Sequence, residues 1–187
     1  MYMIRHGEST ANQTHAHAGW AQIPLTEKGR ADAALAARTL QGISFDLVYS
    51  SDLKRAIETK EIAMPGVPFL QSALLREIHV GTLAGKALAA CETEYGAPYL
   101  RDRTEKNFLP YGGEDHKAHR ARVAAFLQEL AAKNATCVAV FCHEGTIQRC
   151  LELVTGSEEV SRRRCENGGV CLFEYTGGKW SLVQWEI

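Results

Sequence analysis

An arginine, a histidine and a glycine stand in a row where a short apolar run near the start of the chain ends. The run Tyr2–Arg5 has the length of a strand, and His6 and Gly7 come directly after it. In open α/β sheets, ligands bind beyond the carboxyl ends of the strands. A guanidinium fork there suits a phosphate group, a neutral imidazole can act as a nucleophile, and a glycine lets the backbone approach a ligand. The triplet gains weight from partners further along the chain.

Two later strand ends carry the same kind of chemistry. The predicted strand Phe45–Tyr49 leads into Ser50–Asp52, which we expect to cap a helix with Arg55 in its first turn. The apolar strand Cys137–Phe141 is followed closely by His143. Because the carboxyl ends of parallel strands lie along one sheet edge, these groups are predicted to converge with the first arginine and histidine. Two guanidinium groups, two imidazoles and two helix N-termini suit a tetrahedral phosphoryl group.

Phosphoryl transfer also needs a general acid, because an alkoxide leaves poorly without a proton. Glu77 follows the apolar pair Leu74 and Leu75 and is predicted at the same sheet edge. Partial burial is expected to hold its carboxyl protonated near neutral pH. The alternative is a surface carboxylate, since the sequence pattern around Glu77 is short.

The remaining segments alternate between helix and strand. The predicted elements are helices starting after Thr26, near Lys86, after Asp115 and after His143, irregular stretches at 7–25 and 96–113, and a closing hairpin of residues 169–175 and 180–185. This alternation predicts one domain over residues 1–187, folded as a three-layer α/β/α sandwich with a mostly parallel central sheet.

Bulk composition argues against several functional classes. The 187 residues are 45% hydrophobic and 23% charged, with a formal net charge of −1, so no basic surface for nucleic acid is implied. No apolar run approaches the roughly 20 residues that cross a membrane, and we expect no signal peptide. The six cysteines contain no CxxC pair and are expected to be reduced thiols of a cytoplasmic protein.

Taken in order, these motifs resemble those of the histidine phosphatase superfamily. The resemblance is to the branch that holds cofactor-dependent phosphoglycerate mutases and small phosphomonoesterases such as α-ribazole phosphatase. Six segments carry it: residues 5–9 with Asn12, residues 23–29, residues 50–56 with Thr59, Glu77 with Gly81 and Gly85, residues 112–114, and residues 143–145. They span nearly the whole chain, and the resemblance implies a phosphoglycerate mutase-like fold.

The resemblance also implies a role for each site residue. We expect no metal or other cofactor. His6 would be the nucleophile that forms a phosphohistidine, and Glu77 would protonate the leaving oxygen and later activate water. The phosphoryl oxygens would be held by Arg5, Arg55 and His143, with Asn12 beside them. Arginines can supply the positioning and charge stabilisation that phosphoryl transfer needs.

Three positions depart from the family pattern. Glu144 stands where the family usually has glycine, which puts an acidic group near the pocket. Gln22 replaces a common acidic residue, and Asp115 replaces a serine. The chain also lacks the longer insertion, with extra basic residues, that the mutases use to retain a bisphosphate.

The missing insertion favours a phosphatase. We therefore expect a cytoplasmic phosphomonoesterase that acts on a small phosphorylated metabolite. A phosphoglycerate mutase and a non-catalytic module that binds phosphorylated ligands are the alternatives. The sequence does not name the substrate and leaves the oligomeric state open, a homodimer included.

The other histidines have structural interpretations. His15, His17 and His79 lack the spacing of a metal site and are expected to be loop residues. His116 and His119 share one predicted helix face and are expected to be solvated.

Two further groups leave alternatives open. The aromatic residues Tyr95, Tyr99, Phe108 and Tyr111 form either a lid over the pocket or the packing of an irregular loop. The run Arg162–Arg164 is expected to be a solvated basic face, with recruitment of phosphorylated partners as the alternative.

Overall fold

In the part of the chain that the structure describes, six strands form one sheet at the centre of the protein. A computed structural model describes residues 1–157 and 163–187; Arg162 of the basic run therefore lies outside the described residues. The strands are β1 (Tyr2–Arg5), β2 (Leu47–Ser50), β3 (Leu70–Gln71), β4 (Val138–Cys142), β5 (Val170–Thr176) and β6 (Lys179–Gln184). Their order across the sheet is β3-β2-β4-β1-β5-β6. The first four are parallel, while β5 runs antiparallel to β1 and β6 antiparallel to β5.

Helices cover both faces of this sheet. They are α1 (Thr10–Gln13), α2 (Glu27–Thr39), α3 (Lys54–Ala63), α4 (Leu88–Glu105), α5 (His116–Ala131) and α6 (Glu144–Thr155). Short 3₁₀ turns lie at Ala73–Leu75, Gly81–Leu83 and Leu109–Tyr111.

Alternate residues of the central strands face two separate cores. Met3 and Val140 pack with α5 and α6, whereas Ile4, Ala139 and Phe141 pack with α2 and α3. Because successive strand residues point to opposite faces, two helical layers sandwich the sheet. The predicted three-layer α/β/α class with a mostly parallel sheet is confirmed.

The strand predictions that rested on continuous apolar runs are accurate. β1 has the predicted bounds, β4 is displaced by one residue, and the hairpin of β5 and β6 closes the sheet. Thr26 caps α2 by accepting a hydrogen bond from the Gly29 N–H at 3.0 Å, and Asp115 caps α5 through the Ala118 N–H at 2.8 Å. Local chemistry is sufficient for these elements.

The predicted cap of α3 is wrong. The helix begins at Lys54, and its N-cap residue, Leu53, supplies no side-chain hydrogen bond. Gln22 caps it instead: its Oε1 accepts from the Lys54 N–H at 2.8 Å. Asp52 pairs with Arg76, whose Nε donates to Oδ1 at 2.7 Å. Gln22, which departs from the family pattern, thus caps α3. The spacing of residues in the sequence does not predict this role.

Two stretches predicted to be irregular contain helix. In the first, Ser9 and Asn12 form a reciprocal capping box around α1. In the second, α4 continues to Glu105 after a break at Gly96, where φ is 62°. Pro98 lies in the first turn of the second segment, where proline costs no helical hydrogen bond.

The prediction of solvated histidines on α5 is also wrong. His119 is only 1% exposed, and burial lowers its pKa to about 4. His116 Nε2 lies 2.9 Å from Glu152 Oε2.

All six cysteines are free thiols. Within the two described ranges, no helix is long and apolar enough to cross a bilayer.

Candidate active site

A cavity of about 220 Å³ opens at the carboxyl ends of the parallel strands. The structure brings five of the six predicted site residues to its wall: Arg5, His6, Asn12, Arg55 and Glu77. The sixth, His143, is fully buried behind the wall, with its ring centroid 5.2 Å from that of His6. Adjacent strands produce this convergence, because β1 and β4 pair in parallel and His6 N–H donates to the Cys142 carbonyl at 3.0 Å.

His6 is held in the form that a nucleophile requires. Its Nδ1 lies 2.7 Å from the Gly7 carbonyl, which can only accept, so Nδ1 carries the proton and Nε2 keeps its lone pair. Burial and the nearby charges of Arg55 and Arg5 lower the pKa of His6 well below its ordinary value. The imidazole is therefore neutral at pH 7, with a lone pair on Nε2.

Arg55 is held in a fixed orientation against the His6 ring. Its Nε donates to His6 Nε2 at 3.2 Å, while Nη1 and Nη2 donate to the carbonyls of Ala21 and Gly19 at 3.2 and 2.9 Å. Burial lowers its pKa to about 10, and the charge of Glu77 opposes that shift. Arg55 thus stays cationic at neutral pH in a fixed orientation.

Arg5 supplies the second guanidinium. Its Nη1 donates to the Cys165 carbonyl and lies 3.3 Å from Glu144 Oε2. Its Nε is buried and, among the described residues, has no hydrogen-bond partner. A buried donor without a partner costs free energy, and an oxygen of a bound phosphoryl group would satisfy it.

His143 presents a similar unsatisfied nitrogen. Its Nε2 lies 2.9 Å from Ser51 Oγ, while Nδ1 is buried and unpaired within the described part of the chain. Burial and the charge of Arg55 lower its pKa well below the ordinary value. If the Ser51 hydroxyl donates to Nε2, neutral His143 carries its proton on Nδ1 and can donate it to an anion.

Glu77 accepts two backbone hydrogen bonds. Ile78 N–H donates to Oε1 at 2.8 Å and Gly145 N–H to Oε2 at 3.1 Å. Burial raises the pKa of Glu77. The cationic form of His119, the two N–H groups and Arg55 lower it by more than burial raises it, so the net pKa lies below its ordinary value. The expectation of a protonated carboxyl is thus wrong for the ligand-free site, because these donors stabilise the anion.

Asn12 and Gly7 also make structural contacts outside the cavity. Asn12 Oδ1 accepts from Ser9 N and Oγ at 3.0 and 2.8 Å. A Cβ on Gly7 would lie 2.0 Å from the Gly29 carbonyl oxygen. Glycine at position 7 is therefore required by contact between two backbone segments.

Sequence reasoning missed two side chains that support Glu77. Trp20 Nε1 donates to the Glu77 carbonyl at 2.7 Å, and Arg122 Nη2 donates to the same carbonyl at 3.2 Å. Arg122 also donates to the carbonyl of Arg76 at 3.1 Å and pairs with Glu114. The sequence signal for Arg122 was its position eight residues after Glu114 of the Gly-Gly-Glu motif, within the helix predicted after Asp115.

Two more cationic residues of the cavity wall were missed, Arg103 and Lys106. They lie at the end of α4, in the stretch predicted to be irregular, so their position was not predictable.

The aromatic residues of this region mainly form packing. Tyr99 and Phe108 are buried in a small core with Tyr95 and Tyr111 against it, and Phe108 also reaches the cavity wall. His17 Nε2 lies 2.6 Å from the Tyr99 hydroxyl oxygen.

Over the described ranges, no three His, Cys, Asp or Glu side chains form a metal-binding group.

The chain belongs to the histidine phosphatase superfamily (branch 1), whose family model matches residues 1–187, and it is an enzyme of that phosphatase class. Among its relatives, a 2,3-bisphosphoglycerate-dependent phosphoglycerate mutase 2 of Gloeobacter violaceus is 32% identical over 81% of this chain and 73% of its own. A 2,3-bisphosphoglycerate-dependent phosphoglycerate mutase of Streptococcus agalactiae is 35% identical over 81% of this chain and 68% of its own.

Solved structures of phosphatases resemble the whole chain. A putative α-ribazole-5'-P phosphatase of Escherichia coli superimposes with a TM-score of 0.90 at 25% identity, covering 100% of this chain and 95% of its own. A mycobacterial glucosyl-3-phosphoglycerate phosphatase, solved with VO3, gives a TM-score of 0.88 at 26% identity over 100% and 98%.

The contact between Gly145 and Glu77 yields a testable prediction. A Cβ on Gly145 would lie 2.1 Å from Glu77 Oε1, and the carboxyl is the movable end of its side chain. Gly145→Ala is expected to displace the carboxylate and lower kcat about 100-fold, since a misplacement near 1 Å can cost that much. Thermal unfolding should change little. A stable variant with unchanged kcat would show that the position of Glu77 does not matter.

Proposed function

We propose that this chain is a phosphomonoesterase that hydrolyses a small phosphorylated metabolite through a phosphohistidine on His6, without a metal. One observation carries the proposal: neutral His6 presents Nε2 beside Arg55, and in two residues that neighbour His6 a buried nitrogen, Arg5 Nε and His143 Nδ1, has no partner among the described residues. Burial of unsatisfied nitrogens is costly, and a phosphoryl group would satisfy both.

The first step is attack of His6 Nε2 on phosphorus. The N–P bond forms as the ester P–O bond breaks. The proton for the leaving alcohol comes from the Glu77 carboxyl, which takes it from the substrate monoanion on binding. Arg5, Arg55 and His143 stabilise the charge on the phosphoryl oxygens. Arg55 meanwhile transfers its Nε–H hydrogen bond from Nε2 to a phosphoryl oxygen, because the lone pair becomes part of the new bond.

The second step returns the enzyme to its starting form. Glu77, now a carboxylate, accepts a proton from water, the water oxygen attacks phosphorus, and the N–P bond breaks. The proton that Glu77 accepted passes to the departing phosphate, so Glu77 is again a carboxylate and His6 regains its lone pair. The covalent intermediate divides one difficult reaction into two easier ones.

The lengths of the related proteins favour hydrolysis over mutase activity. The chain covers 95% and 98% of the two phosphatase chains, but only 73% and 68% of the two mutases. The identities of 32% and 35% to mutases, together with Arg103 and Lys106 in the cavity wall, keep phosphoglycerate mutase as the second candidate. We place the enzyme in the cytoplasm, where six free thiols remain reduced.

Trapping the intermediate tests this function. Wild-type enzyme mixed with p-nitrophenyl phosphate in excess EDTA and quenched in alkali is expected to carry one acid-labile phosphoryl group on the peptide that contains His6. Peptide mass spectrometry with and without acid treatment locates it. A phosphoryl group on another residue, or activity abolished by EDTA, would contradict the proposal.

A coupled assay separates the two candidates. Phosphate release from a panel of phosphorylated metabolites is expected without bisphosphoglycerate. Interconversion of 2- and 3-phosphoglycerate that depends on bisphosphoglycerate and outpaces phosphate release would instead identify a mutase.

A further inference from the structure

Glu144 places a fixed negative charge inside the phosphate-binding cavity. It is the first residue of α6, its side chain lines the cavity, and its Oε2 lies 3.3 Å from Arg5 Nη1. Only 25% of the Glu144 side chain and 11% of the Arg5 side chain is exposed. Limited exposure reduces the screening of such a charge by water and salt.

The position of Glu144 also relates it to the leaving group. The next residue, Gly145, donates its N–H to Glu77 Oε2 at 3.1 Å. Glu77 must contact the ester oxygen in order to protonate it, so the alcohol part of the substrate lies on the Glu77 side of phosphorus. Glu144 therefore borders the space that the alcohol occupies.

We propose that Glu144 determines substrate specificity by repelling an anionic group on the alcohol close to the ester. The favoured class is then phosphomonoesters of neutral, hydroxylated alcohols or of amino alcohols, and the disfavoured class is phosphorylated hydroxy acids. Specificity of this kind comes from a repulsive element as much as from attraction. Glu144 can act in this way only if the cavity hydrolyses phosphomonoesters, as proposed above.

Arg103 and Lys106, the cations that also line the cavity, do not remove this effect. Arg103 Nη1 donates to Glu92 Oε1 at 2.9 Å, which neutralises part of its charge, and Lys106 also lines the cavity. Arg103 and Lys106 are present in both the wild type and a Glu144 variant. Their attraction for an anionic substrate is therefore the same in the two proteins and does not account for a difference between them.

A matched pair of substrates isolates the contribution of Glu144. Glycerol 3-phosphate and 3-phosphoglycerate share a three-carbon frame and differ by a hydroxymethyl group in place of a carboxylate. Glu144→Gln keeps the side-chain size and removes the charge. The ratio of kcat/KM for 3-phosphoglycerate to that for glycerol 3-phosphate is expected to rise about tenfold, the effect of one like charge at a partly exposed site.

The ratio separates specificity from simple phosphate affinity. Releasing Arg5 from its carboxylate partner strengthens phosphate binding for both substrates, and this common effect cancels in the ratio. Phosphoethanolamine, whose alcohol carries an ammonium group, is expected to lose kcat/KM relative to glycerol 3-phosphate in the same variant. Glu129→Gln removes an equal charge from an exposed position on α5 and should leave all ratios unchanged.

Each outcome decides the proposal. An unchanged ratio in an active Glu144→Gln enzyme overturns it, as does an equal rise in Glu129→Gln. If neither three-carbon ester is turned over, the Ki values of the pair against p-nitrophenyl phosphate give the same ratio and the same decision. Failure of the phosphatase function itself would appear differently, as absence of phosphohistidine and of phosphate release from every substrate.

Discussion

His6→Asn is expected to lower kcat by about 10⁵-fold or more, because losing the nucleophile removes the covalent route, and losses of this size follow removal of a nucleophile in other enzymes. The asparagine is smaller than imidazole and lacks a lone pair on a ring nitrogen. Phosphate release from p-nitrophenyl phosphate in EDTA measures the effect. His15→Asn is a matched control, since His15 is exposed and has φ of 49°, which asparagine tolerates.

The His6→Asn protein is expected to bind phosphate although it no longer catalyses the reaction. Arg5, Arg55 and His143 remain in the His6→Asn protein, so vanadate or inorganic phosphate is expected to raise its melting temperature, as in the wild type. A His6→Asn enzyme that keeps more than about a tenth of wild-type kcat would contradict the assignment of the nucleophile, because such a change is small for a lost nucleophile.

Glu77→Gln is expected to affect substrates according to their leaving groups. For an alkyl phosphate, kcat should fall by about 10²- to 10⁴-fold, the usual contribution of a general acid. For p-nitrophenyl phosphate, the first step needs no proton, but activation of water in the second step is lost. A burst of p-nitrophenol followed by slow turnover is therefore expected, with phosphohistidine accumulating. Equal losses for both substrates without a burst would exclude this role.

The lowered pKa of Glu77 also predicts a pH dependence. In the ligand-free enzyme the carboxyl is ionised at neutral pH, so the catalytic proton must arrive with the substrate monoanion. Phosphate esters lose that proton with a pKa near 6. For an alkyl phosphate, kcat/KM is expected to fall about tenfold per pH unit above this value, with a weaker fall for p-nitrophenyl phosphate. A rise in kcat/KM between pH 6 and 8 would show that the proton comes from elsewhere.

Much of the fold follows from short sequence patterns. β1, β4 and the capped helix α2 depend on apolar runs and on capping residues within a few positions, which local physics is sufficient to specify. α4 differs, because its second segment starts at a proline after a glycine break, a combination that usually predicts a turn. The buried position of His119 likewise depends on packing between distant segments and has no local signal.

The sequence by itself determined the family, the sheet class and which residues stand at the strand ends, because motif order and alternation are properties of the chain. Only the tertiary structure decided their chemical states. The two backbone donors of Glu77 include Gly145, 68 residues away, and the pKa of His6 is lowered by burial and by two arginines, one of them Arg55 on another element. Ionisation depends on solvation and on charges brought close in space, and neither is encoded by distance along the sequence. The contact between Glu144 and Arg5 is likewise decided by the tertiary structure and not by the spacing of the two residues in the sequence.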